Sequence, residues 1–182
     1  MSRSFDAANF LIPQTLETGR LRLRPFEHDD WRALHEHFSD AECTRFTFRR
    51  ALTEAATWRA VASMAGHWLL RGYGPYAVEE KATGSVLGTV GPWYPLEWPE
   101  PEIKWALARH HWGRGYASEA VRAVQHMAHE HLPQLRLISL IDSRNEASIR
   151  LALAVGATLE REIEFAGGPF HVYRHPGKPG GI

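Results

Sequence analysis

Cysteine occurs once in these 182 residues, at Cys43. That excludes an internal disulfide and a cysteine-built zinc site, and it fits a reducing compartment. An excess of charge of either sign is also missing. Lys and Arg number 21 and Asp and Glu 21, so no strong field draws in nucleic acid or an anionic membrane. Long apolar runs are lacking too: Phe10-Leu11-Ile12 is far too short for a signal peptide or a membrane span. No internal repeat occurs. What remains is 44% hydrophobic and 23% charged, the composition of an ordinary globular chain. At this length one domain buries roughly 70% of its unfolded surface. The expected setting is the cytoplasm.

Residues 1–15 read as a loose leader, 16–175 as the folded domain, and the Gly/Pro-rich 176–182 as a flexible tail. Leu21-Arg22-Leu23-Arg24 alternates at period two and predicts a strand, closed by Pro25. Asp29-Asp30 open a helix carrying Trp31, Leu34 and Phe38, and a second helix runs from Thr53-Glu54 to Gly72. Tyr76–Glu80 and Ser85–Gly91, joined at Thr83-Gly84, predict a hairpin. Four prolines between Pro92 and Pro101 argue against a central strand there. Strand Glu102–Ala108, a helix from Ala117 to Leu132, strand Leu135–Ile141, a helix opened by Asn145 and stopped by Gly156, and two last strands complete the order. This is an α+β arrangement with one βαβ unit at its centre, and it predicts a single mixed sheet with helices on both faces.

The most informative stretch is Trp112-Gly113-Arg114-Gly115-Tyr116-Ala117-Ser118-Glu119-Ala120, placed between a strand and an amphipathic helix. Two glycines let the backbone turn tightly and approach a ligand closely. The unpaired amides of the first helical turn, with the positive end of the helix dipole behind them, suit a phosphate or pyrophosphate. A dinucleotide-binding fold is disfavoured, because Ser118 stands at the third glycine position and the nearest strand-end acid, Asp142, lies too far on.

Four segments in this order resemble the GNAT superfamily of acyl-CoA-dependent N-acetyltransferases. They are Thr18-x-Arg20-Leu21-x-Leu23-Arg24-Pro25, Glu102-Ile103-x-x-x-Leu107, the glycine turn with Glu119-Ala120, and Asn145-x-x-Ser148 running to Gly156. The closer resemblance is to the ribosomal-protein N-terminal (Rim-type) branch, where a tryptophan at the Trp112 position is usual. The resemblance implies a GNAT-like, mostly antiparallel twisted sheet and acetyl-CoA as cosubstrate, with no metal. It implies that Gly113, Arg114, Gly115, Tyr116, Ala117 and Ser118 hold the pyrophosphate. Ala106, Leu107 and Ala108 would pair with the pantetheine arm through their backbone, and Asn145 would hydrogen-bond the same arm. The acceptor would be a primary amine, either a protein N-terminus or a small molecule, with direct transfer in a ternary complex. Another acyl-CoA, or a binding module without turnover, is the alternative. Lys104 departs from the branch, which often has Gly at that position.

Transfer to an amine requires a neutral nucleophile, and a lysine-like amine has a pKa of about 10.4. Glu102 is the carboxylate of the strand feeding the glycine turn, on one face with Lys104 and Ala106. It is the candidate general base, acting through a water. Its alternative is a strand-end carboxylate paired with Lys104 or an arginine. Lys104 is expected to lower the pKa of Glu102. Many family members carry a tyrosine seven residues after the asparagine. That position is Ala152 here, which leaves Ser148 as the candidate acid for the departing thiolate. Asn145 as a plain helix cap, with Ser148 incidental, is the competing reading. Trp93-Tyr94-Pro95-Leu96-Glu97-Trp98-Pro99 is the candidate acceptor wall, or else a set of core-covering aromatics. The eleven histidines lack acid or cysteine partners at ligand spacing.

Overall fold

The computed structural model describes residues 10–177. Residues 1–9 of the expected leader and 178–182 of the expected tail lie outside the described residues. The elements, in order, are β1 (Leu16–Glu17), β2 (Leu21–Arg24), α1 (Asp30–Phe38), α2 (Ala41–Thr44), α3 (Glu54–Arg71), β3 (Tyr76–Glu80), β4 (Val86–Trp93) and β5 (Glu102–Leu107). A 3-10 turn (Arg109–His111) leads to α4 (Tyr116–His131), β6 (Ile138–Asp142), α5 (Glu146–Ala154), β7 (Thr158–Phe165) and β8 (Gly168–Arg174). The eight strands form one sheet in the order β1-β2-β3-β4-β5-β6-β8-β7. Every pairing is antiparallel except β5 with β6.

Periodicity decides which face each element buries. In β2, Leu21 and Leu23 are wholly buried, while Arg24 on the other face pairs with Asp30 at 2.8 Å and Glu79 at 2.7 Å. Helix α4 presents Val121, Val124, Met127 and Ala128 to one side of the sheet, where they pack with Leu21, Val78, Ile103 and Leu107. Helices α1 and α3 cover the opposite side through Leu34, Phe38, Val61 and Met64. Thr53 caps α3 by accepting the Ala56 amide, and Gly72 ends it in the left-handed conformation that a glycine adopts without strain. No described helix is long and apolar enough to cross a membrane.

The sequence expectations differ in four places. Strand β4 continues through Pro92 to Trp93, paired with β5 alone. Strand β3 starts only at Tyr76, opposite Val90, so Pro92 has a strand neighbour on one side only. Leu135 belongs to a turn, its amide bonded to the Leu132 carbonyl, and β6 begins three residues later. The short helix α2 has too few residues to show periodicity. Finally, residues 10–13 of the expected leader are held against the core. Ile12 is buried, Leu11 N–H donates to the Gly72 carbonyl, and Tyr76 O–H donates to the Pro13 carbonyl.

Candidate active site

The site begins where the sheet opens. The parallel pair β5–β6 meets at a single register position, Glu102 opposite Ile138, with Ile138 N–H donating to the Pro101 carbonyl at 3.0 Å. One step on, the Ile103 carbonyl accepts from the Ser139 hydroxyl at 2.7 Å instead of from a strand amide. Beyond that point the strands part. Pro101 and Ile103 carbonyls face β6, so by strand alternation the main-chain groups of Trp105 and Leu107 face the gap as well. Helix α5 starts at the end of β6, beside the gap. A strand edge freed inside a sheet is a template for an extended ligand.

Of the three residues expected to pair with the pantetheine arm, Leu107 has its main chain on the gap side. Its carbonyl already accepts from the Trp112 indole (2.8 Å) and the His37 imidazole (2.9 Å). Ala106 pairs with Thr89 of β4. Ala108 donates its amide to Leu87 and accepts from His111, so both its main-chain groups are committed elsewhere.

The glycine turn follows. Gly113 and Gly115 have φ of 72° and 78°, the left-handed region that other residues enter only with strain. A Cβ on Gly113 would meet no described atom within 4 Å. Gly115 is the N-cap of α4 and no side chain caps that helix, so the Tyr116, Ala117 and Ser118 amides are left available. The turn is braced by residues whose role the sequence reading missed. Glu119 accepts from Thr18 Oγ1 (2.6 Å), from the Arg20 amide (2.9 Å) and from Arg20 Nε (2.7 Å). Arg20 also donates from Nη1 to the Arg114 carbonyl (2.9 Å) and lies over the Tyr116 ring at 4.4 Å. Tyr116 O–H in turn donates to Glu80.

Across the gap, Asn145 is the N-cap of α5, its Oδ1 accepting the Ser148 amide at 3.2 Å. Its Nδ2 has no partner among the described residues. Ser148 Oγ accepts from Trp105 Nε1 at 3.2 Å, which ties α5 to β5. The hydroxyl proton has no acceptor among the described residues and is free to be donated.

Glu102 is buried, and its carboxylate bridges the two parting strands' surroundings. Oε1 accepts from Trp98 Nε1 at 2.7 Å and Oε2 from the Leu140 amide of β6 at 3.1 Å. Burial pushes its pKa up to about 6, against the pull of those two donors and of Lys104. Lys104 does lower it, as expected, but desolvation outweighs a cation that forms no contact ion pair, so the net shift is upward. Burial also lowers Lys104, to about 8. Cys43, half-buried in α2, is raised to about 11 by burial and by nearby Asp40, so its thiol stays protonated at neutral pH. Among the described residues no group of three His, Cys, Asp or Glu is placed to hold a metal.

An open strand edge, an uncapped helix start behind two left-handed glycines and a buried carboxylate define an acyltransferase-like site. The chain belongs to the GNAT acetyltransferases: the model of the acetyltransferase (GNAT) domain matches residues 20–158. It is 32% identical over 140 residues to the uncharacterized N-acetyltransferase p20 of Bacillus licheniformis, covering 76% of this chain and 79% of that one. A crystal structure of an acetyltransferase from Agrobacterium tumefaciens superposes with a TM-score of 0.81 at 29% identity, covering 94% of this chain and 98% of that one. The fold is shared as well with RimL, a ribosomal L7/L12 alpha-N-protein acetyltransferase in complex with coenzyme A. There the TM-score is 0.69 at 17% identity, over 91% of this chain and 97% of that one. The protein is thus an acetyltransferase of a family that uses acetyl-CoA.

Proposed function

We propose that this chain transfers the acetyl group of acetyl-CoA to a primary amine, a protein N-terminus or a small molecule, directly within a ternary complex in the cytoplasm. The observation that carries the reading is Glu102. A carboxylate with a pKa near 6, buried where β5 and β6 separate, is poised to take a proton at neutral pH. The pyrophosphate of the cosubstrate is assigned to the turn Gly113–Ser118, where Gly113 leaves room for close approach. The pantetheine arm is assigned to the gap side of β5, at Trp105 and Leu107, with Asn145 Nδ2 as a donor from the other wall.

In the reaction the amine nitrogen forms a bond to the thioester carbonyl carbon and the carbon–sulfur bond breaks. Glu102 takes the amine proton through a water, and Ser148 supplies one to the departing thiolate. A cysteine acetyl-enzyme is disfavoured, since Cys43 is protonated and sits in α2. Kinship to the Rim-type branch rests on the motifs quoted above and belongs to this reading.

The test is release of free CoA thiol with a panel of amines, with acetylated product identified by mass. Glu102→Gln is expected to lower kcat/KM by about 10²–10⁴ and to remove the acidic limb of its pH profile near pH 6. Tight CoA binding without thiol release for any amine would defeat the proposal.

A further inference from the structure

Lys104 is a cation with no contact ion pair among the described residues. It lies on β5 two residues from Glu102, and the β4–β5 register puts both side chains on the face covered by α1 and α3. Among the described residues it forms no ion pair. Its Nζ lies 3.5 Å from Met64 Sδ, a weak acceptor already shared with the Thr89 hydroxyl, and 5.2 Å from the Trp93 ring centroid. An ammonium carries three donors, so most of its hydrogen-bonding capacity is unspent. A lysine serving only as a packing stem would turn its head to water. This one points under α3.

Of the other titratable groups around it, only Glu102 carries negative charge, and it forms no contact ion pair with Lys104. His67 of α3 donates from Nδ1 to the Tyr73 carbonyl and accepts the Tyr94 amide at Nε2, a pattern only the neutral ring satisfies. The same ring stacks on Trp93 at 4.8 Å. His37 of α1 donates to the Leu107 carbonyl, and burial lowers its pKa. Arg71 of α3 stacks on Tyr94, 4.5 Å from its ring centroid. The one acid nearby, Glu102, spends an oxygen each on Trp98 and Leu140.

We propose that Lys104 recognises an anionic group on the acceptor, and that the acceptor is an amine bearing a carboxylate or similar acid a few bonds from its nucleophilic nitrogen. This rests on the reading of Glu102 as the base. Alternate residues of a strand stand about 7 Å apart, so an amine directed at Glu102 through a water places a nearby acid within reach of Lys104. Trp93, opposite Glu102 in the register and with its ring centroid 5.2 Å from Lys104 Nζ, lies beside both, which gives the aromatic segment a place beside the acceptor. A polyamine or other dication would bring its second charge against the ammonium and is selected against.

The experiment compares matched acceptors that differ in the acid alone. One pair is a free amino acid and its carboxamide; the other is a short peptide beginning with Asp and its counterpart beginning with Asn. For each, kcat/KM is expressed per neutral amine, and binding to the CoA-loaded protein is measured by calorimetry. The acid member is expected to be favoured about tenfold or more, the size of a charge-assisted hydrogen bond. Lys104→Met should bring the ratio to within about twofold, and Lys104→Arg should keep it. A preference in the peptide pair alone marks a protein N-terminus as the source, and one in the amino-acid pair alone marks a small acceptor. Equal binding of both members, no binding of either acid, or a preference that survives Lys104→Met overturns the assignment. Acid-selective binding without acetyl transfer would uphold the anion site and sink the transferase reading instead.

Discussion

At the scale of single residues, Asn145 does two things through two atoms. Its Oδ1 caps α5, and its Nδ2 has no partner among the described residues. Asn145→Asp keeps an acceptor for the cap and loses the donor. It is expected to leave the melting temperature within a degree or two while raising the KM for acetyl-CoA severalfold. Asn145→Ala should add a loss of roughly 1 kcal/mol of stability from the missing cap. Thermal melts beside initial-rate kinetics separate the two effects. Glu102, Ser148 and Asn145 could be singled out as candidates in the chain, because each falls in a short motif. The Asn145 cap is local and legible too, but the partners of Glu102 and Ser148 were not. Trp98, Trp105 and Leu140 reach these residues only after β5, β6 and α5 are assembled, and no spacing in the sequence encodes that.

At the scale of elements, the turn between β5 and α4 is shaped by two glycines with different surroundings. A methyl on Gly115 would sit 3.4 Å from Arg20 Nη2, whereas one on Gly113 would meet nothing within 4 Å. Gly113→Ala therefore adds backbone strain without a clash inside the protein. It should lose roughly 1–2 kcal/mol from the left-handed backbone and raise the KM for acetyl-CoA tenfold or more, with kcat at saturation much less affected. An unchanged KM would remove this turn from cosubstrate binding. The helix and its glycines could be read directly, as could the strand before them. The brace of Thr18, Arg20 and Glu119 could not, since its members lie about a hundred positions apart, 99 for Arg20 and Glu119. They entered the sequence reading as motif letters without a joint purpose.

For the molecule as a whole, one buried network joins the last strand to the point where the sheet opens. Gln125 of α4 donates to the Val155 carbonyl and to His175 Nδ1, His175 donates from Nε2 to Ser139, and Ser139 donates to the Ile103 carbonyl. Every group is satisfied only if the imidazole is neutral. Burial, with Arg174 and His129 nearby, lowers its pKa to about 4. A histidine depressed from about 6.5 contributes fully above that value, and its contribution is lost as pH falls toward 4. The loss at the acid end is on the order of 3 kcal/mol. Denaturant midpoints at pH 7 and pH 4.5 should therefore separate the wild type from His175→Gln, the wild type falling further. Equal falls would mean that another group carries the acid limb.

The sequence alone determined the order of the longer elements, the α+β sheet and the family, because hydrophobic period and glycine placement are local properties of a chain. Folding decided what the site can do. Only the assembled sheet sets how far β5 and β6 separate, how deeply Glu102 is desolvated and which cation is left unpaired. These depend on groups remote in sequence brought within a few ångströms, where burial can outweigh the charge of an immediate neighbour.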